Sequence, residues 1–170
     1  NDYSALGCFA LCADGRVYLM DLAHGRWEAP ELLVKFKAFV SVHAFSVGRT
    51  HCGLSRVAVE DKASGTGLIQ TVNLDSAQLA EWGVYSVDGI QRNTDKVSRM
   101  AGVSTWIEAG ALVLPRNAPW LAAYTRELTA FNRQMSHAHD DCVDITMDAI
   151  QDLLIDNKSV GVDYVAAMRV

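Results

Sequence analysis

No apolar run in this chain is long enough to span a bilayer, and no signal peptide opens it, which argues against a membrane protein or a secreted one. The four cysteines, Cys8, Cys12, Cys52 and Cys142, form no CxxC pair and have no metal-finger spacing. They are therefore expected to be buried reduced thiols of a cytoplasmic protein. Positive charge is in short supply: 15 Lys and Arg face 20 Asp and Glu, for a net charge of −5. That excludes a whole-surface electrostatic grip on nucleic acid but leaves room for a local one. The GxxxxGK[ST] phosphate-binding loop is missing, as are internal repeats and low-complexity segments. The chain starts at Asn1 without an initiator Met and is expected to be excised from something longer.

What is present suits one globular domain: 170 residues, half of them hydrophobic. Leu6 to Ala13 is an apolar run, Asp14-Gly15 a hairpin turn signal, and Arg16 to Leu22 an alternating second strand. Pro30 opens a helical pattern with Leu32, Leu33, Phe36, Phe39 and Val40 on one face. Leu54 to Val59 reads as a strand, Thr66 to Trp82 as a helix, and Val84 to Val87 as a short strand. A helix over Asn93 to Ala109 would turn Val97, Met100, Val103 and Ile107 inward, with Gly110 as its stop. Ala111 to Leu114 is strand-like, Pro119 starts a helix to about Phe131, and Asp140 to Leu154 makes the last long helix. From Asn157 onward the signal fits a short strand or a short helix. A hairpin followed by alternating strands and helices means an α/β domain with a mixed sheet.

Two acidic features carry the chemistry. One is His137-Ala-His139-Asp140-Asp141-Cys142-Val143-Asp144, at the start of the last helix. Like charges so close repel, so such a cluster serves either to hold a cation or, more plainly, to cap a helix and complement its dipole. The other is the strand end Val59-Glu60-Asp61-Lys62-Ala63-Ser64-Gly65-Thr66-Gly67. In open α/β sheets ligands bind at the C-terminal ends of strands, which is where Glu60 and Asp61 fall; the plain alternative is a strand end facing water. Lys62, Arg92, Lys96, Arg99, Arg116 and Arg133 lie in segments able to border the acids. His24, His43, His51 and His137 have no partner pattern, and Trp27, Trp82, Trp106 and Trp120 are expected to pack in the core.

Six stretches together resemble the nuclease domain of phage large terminase subunits: Asn1-Asp2-Tyr3-Ser4-Ala5, Val59 to Thr66, Asp95-Lys96-Val97-Ser98-Arg99, Glu108-Ala109-Gly110, Leu114-Pro115 with Ala118-Pro119-Trp120, and His139 to Asp144. They occur in the family's order along nearly the whole chain. The resemblance implies a ribonuclease H-like mixed sheet flanked by helices, one terminase-type nuclease domain over residues 1–170, and a packaging ATPase normally fused ahead of it. It implies a metal-dependent endonuclease cutting concatemeric double-stranded viral DNA, with Mg²⁺ or Mn²⁺ (two ions) as cofactor. DNA, the portal protein, the small subunit and the ATPase in cis are the partners it implies, in the cytoplasm of a bacterial host.

On the same resemblance, Glu60, Asp140 and Asp141 are the metal ligands, with the choice leaning to Asp141 over its neighbour, and Asp2 supports the site. His139 orients a ligand or shuttles a proton, or else packs and caps. Lys62, Lys96 and Arg99 face DNA phosphates, and Asp61 and Asp144 are supporting or structural. The family also has a strand ahead of the Asn1-Asp2-Tyr3 motif, in the middle of the sheet and bearing an essential Asp; this chain begins after it. A non-catalytic docking domain is the competing function, and a Holliday-junction resolvase or integrase core the competing enzyme.

Overall fold

The computed structural model describes residues 3–47, 54–62, 64–130, 140–156 and 164–169. Asp2, His51, Cys52, Arg133, His137 and His139 lie outside the described residues. Strands β1 (Ser4–Leu11) and β2 (Val17–Gly25) form the expected antiparallel hairpin. Gly15, at φ 76°, supplies the left-handed residue its turn needs. Helix α1 (Ala29–Val47) lays Leu32, Phe36 and Val40 against the sheet. Strand β3 (Leu54–Glu60) follows, its second half fully buried.

The helix expected over 66–82 is two helices, α2 (Ser64–Asn73) and α3 (Ser76–Trp82). Asp75 breaks the pattern: its carboxylate accepts the N–H of Gln78 at 3.1 Å and an ion pair from Lys37 at 2.8 Å. Strand β4 (Val87–Ile90) begins where the expected strand at 84–87 was to end. The reason is Asn73, whose side chain accepts the N–H of Val87 at 2.7 Å and donates to its carbonyl at 3.0 Å. Val84 is instead a buried residue of the turn.

Helix α4 (Lys96–Glu108) starts after the cap residue Asp95, and of its four expected inward residues only Val103 is fully buried; Lys96 is the other buried side chain. Trp106 is 40% exposed, against the expectation of a core position, whereas Trp82 packs edge-on to Phe36 and donates to Ser41 Oγ at 2.8 Å. Strand β5 (Leu112–Val113), α5 (Leu121–Ala130) and α6 (Asp141–Ile150) come next, α6 running into a π turn over Gln151–Ile155. The last described strand is β6 (Tyr164–Arg169).

The six strands make one mixed sheet in the order β4-β3-β6-β1-β2-β5. β6 is antiparallel to β1 and parallel to β3, with Met168 opposite both Leu6 and Val59. The tail thus resolves to a strand, and it fills the middle position for which the resemblance implies a strand ahead of Asn1. On one face α1, α2 and α3 cover a core of Leu6, Phe36, Val57, Val59, Leu68 and Trp82. On the other, Tyr124, Ile145 and Ala149 meet Ala5, Phe9 and Leu19. Every residue of α6 is buried. Such a helix normally carries apolar residues all round; this one carries Asp144 and Asp148 at 1% and 7% exposure.

Candidate functional site

Glu60 ends β3 and is 6% exposed. The chain turns sharply there: Lys62 N–H donates to the Glu60 carbonyl at 2.9 Å, and Gly65 N–H to the Lys62 carbonyl at 3.0 Å. A Cβ on Gly65 would sit 2.0 Å from the Glu60 carbonyl oxygen, so only glycine lets α2 start this close to the strand end. Gly67 has open space around it and no such constraint. Asp61 is held by Thr66 Oγ1 at 2.7 Å, and its N–H donates to the Ile90 carbonyl at 2.9 Å. It ties the end of β3 to α2 and β4.

Asp140, Asp144 and Asp148 recur every four residues and so share one face of α6. Asp140 holds the cap position, yet its side chain makes no capping hydrogen bond; it pairs with Lys96 Nζ. Capping falls instead to Glu127 of α5, whose Oε1 accepts the N–H of Cys142 at 2.6 Å. Lys96 Nζ also lies 2.8 Å from Asp144 Oδ2, and Arg99 Nη2 lies 2.9 Å from Asp144 Oδ1. Arg92 joins the two acidic features: its Nη1 is 2.9 Å from Glu60 Oε1 and 3.8 Å from Asp144 Oδ1, and its Nε donates to Asp148 Oδ1 at 3.2 Å.

A cleft of about 540 Å³ opens over this network, lined by Glu60, Asp61, Lys62, Arg92, Lys96, Arg99, Asp140 and Asp144 among others. Burial pushes the Asp148 carboxyl above the ordinary carboxylate range, with Arg92 acting against the shift. The donor set fits a hard divalent cation. It is all carboxylate oxygen, and single cationic nitrogens already bridge pairs of carboxylates, Arg92 Nη1 between Glu60 and Asp144 and Lys96 Nζ between Asp140 and Asp144.

Of the residues singled out in the sequence, Glu60, Asp140, Lys62, Lys96 and Arg99 line this one cleft. Asp144, expected to be supporting or structural, and Asp61 line it too. Asp141 is turned away, its Oδ2 lying 3.9 Å from His24 Nε2. Arg116 is exposed, and His43 pairs with Asp21 at 3.1 Å. The four-residue spacing of Asp148 from Asp144 is the sequence signal that places both on this face. Arg92, which the sequence places only in a segment able to border the acids, is their central partner.

Among the described residues no helix is long and apolar enough to cross a membrane. Comparison with curated proteins and with solved structures gives no match. The sequence profile described as the terminase RNaseH-like domain matches residues 53–153, a stretch holding both Glu60 and the acids of α6. That is more than half of the chain, which therefore belongs to the terminase RNaseH-like domain family.

Proposed function

We propose that this domain is a metal-dependent endonuclease that cuts double-stranded viral DNA during genome packaging, working beside a packaging ATPase, a portal and a small subunit. The observation that carries this reading is the meeting of Glu60 with Asp140 and Asp144 in one cleft, from elements far apart in sequence, with Asp148 joined to them through Arg92. Glu60, Asp140 and Asp144 are the proposed ligands of Mg²⁺ or Mn²⁺, and Asp148 backs them through Arg92. Two such ions, when bound, would activate a water and stabilise the leaving 3′ oxygen. The chain's own contribution is positioning. Glu60 rides on a buried strand end that Gly65 allows to turn at once, and α6 is locked on every side.

Lys62, exposed at the mouth of the cleft, is a proposed phosphate contact, as are Lys96 and Arg99. Contacts of this kind fix register without reading bases, so cleavage should have little sequence preference. Asp2 and His139 keep the roles carried over from the sequence: Asp2 supports the site, and His139 orients a ligand or shuttles a proton. Asp141, facing His24, is not among the proposed ligands.

The test is nicking of supercoiled plasmid in Mn²⁺ by the parent chain and by its Glu60→Gln and Asp144→Asn forms. The expected result is a loss of at least 100-fold in both variants with unchanged circular dichroism. Undiminished nicking in both would sink the assignment. A parent chain that neither nicks nor shifts its melting curve with Mn²⁺ would move the reading to a non-catalytic docking domain.

A further inference from the structure

The first turn of α6 also faces a second cluster, reached by the residues turned away from Glu60. A ring nitrogen of His24 at the end of β2, the carboxylate of Glu127 on α5 and the Sγ of Cys142 lie within 4.8 Å of one another. Asp141 adds an oxygen 3.9 Å from His24 Nε2, too far for a hydrogen bond. That Nε2 is buried and has no hydrogen-bond partner. Buried polar atoms are nearly always satisfied, so an imidazole nitrogen left without a hydrogen bond beside Asp141, on a ring that reaches Glu127 and Cys142, needs a reason. The ring is held in position by Tyr3, their centroids 4.9 Å apart. Glu127 is anchored by the N–H of Cys142 at 2.6 Å, and Cys142 itself is 1% exposed.

We propose that His24, Glu127 and Cys142, with Asp141 as fourth donor, form a zinc-class site that staples β2 and α5 to the first turn of α6. The donor chemistry selects the metal. Imidazole, thiolate and carboxylate together suit tetrahedral Zn²⁺, whereas the all-carboxylate cleft on the other side of the helix suits a hard cation. Ligand bonds of about 2.0–2.3 Å set neighbouring donors roughly 3.3–3.8 Å apart, so the side chains close by about 1 Å on binding. The Sγ–H bond breaks as the Sγ–Zn bond forms, and the proton leaves to solvent. The site is structural: it fixes the end of the helix that carries Asp140 and Asp144, and it requires no nuclease activity.

Titration of the whole chain with Co²⁺ reads the site directly. The expected result is a near-ultraviolet thiolate-to-cobalt band saturating at one equivalent and displaced by Zn²⁺. Cys142→Ser should abolish that band, and His24→Gln should weaken Co²⁺ binding at least tenfold. Cys12→Ser, Cys52→Ser and Glu60→Gln should each leave the band in place, the last separating this site from the cleft. A parent chain without the band, or a band that survives Cys142→Ser, overturns the proposal whatever the folding of the variants.

Discussion

In the β1–β2 turn, Asp14 accepts hydrogen bonds from Arg16 Nε and from Tyr18 Oη, both at 2.8 Å, with the arginine side chain half in water. Beneath the cleft, Asp148 meets Arg92 through the same two kinds of group, with side-chain exposures of 7% and 9%. The two acids move in opposite directions. Hydrogen bonds from Tyr18 and Arg16 hold Asp14 below the ordinary carboxylate value, whereas burial lifts Asp148 above it despite Arg92. Solvent screens the first pair and supplies a replacement if it breaks. In the second, each charge is tolerable only because its partner is there.

The sharpest way to break this comparison is Arg92→Met. It leaves Glu60 and Asp148 without their shared cation, and unfolding in urea should show a loss of roughly 3–5 kcal/mol, the cost of stripping one partner from a buried pair. A loss no larger than that of a surface variant would mean that the network is better hydrated than its burial implies.

A smaller effect, but one of opposite sign at the two sites, comes from pH. Asp148 has a raised folded-state pKa, so its contribution is fully present in acid and is lost as pH rises through that raised value. Relative to Asp148→Asn, the parent should therefore weaken as pH climbs out of the acid range. Asp14 has a folded-state pKa below 3.8, so its contribution is present above that value and is lost as pH falls through the lowered one. Relative to Asp14→Asn, the parent should weaken as pH falls. Urea midpoints of the three proteins between pH 3 and 7 should give slopes of opposite sign; parallel slopes would refute the contrast. The smallest effect belongs to Arg16→Ala, for which the melting temperature should not move measurably at physiological salt.

Local chemistry made much of the fold readable. Asp14-Gly15 announced the hairpin, Pro30 and the apolar stripe behind it announced α1, and β3 was expected to end beside Glu60, which proved its last residue. The errors arose where side chains overrode a local pattern. Asp75 split one apolar stretch into two helices, and Asn73 delayed β4 by clasping Val87. In the cleft, the acids were visible as clusters, and the resemblance brought Glu60 together with Asp140. The division of labour on α6 was harder to see. Asp140 and Asp141 are adjacent in sequence, but a helix turns them to different partners, Lys96 and His24. Nothing local to Arg92 foretells its carboxylates, because the partner of a buried cation is decided by which elements the fold brings together.

The central position of β6 has a consequence for biosynthesis. Among the described strands, only Tyr164–Arg169 joins β1 with β2 to β3 with β4, and each inner edge it covers is an open edge wherever that strand is not in place. Open edges of that kind are templates for pairing with other chains. Translation at about 5–20 residues per second separates β3 from β6 by roughly 5–20 seconds. Among the described strands, the two halves of the sheet are joined only once β6 takes its place between them.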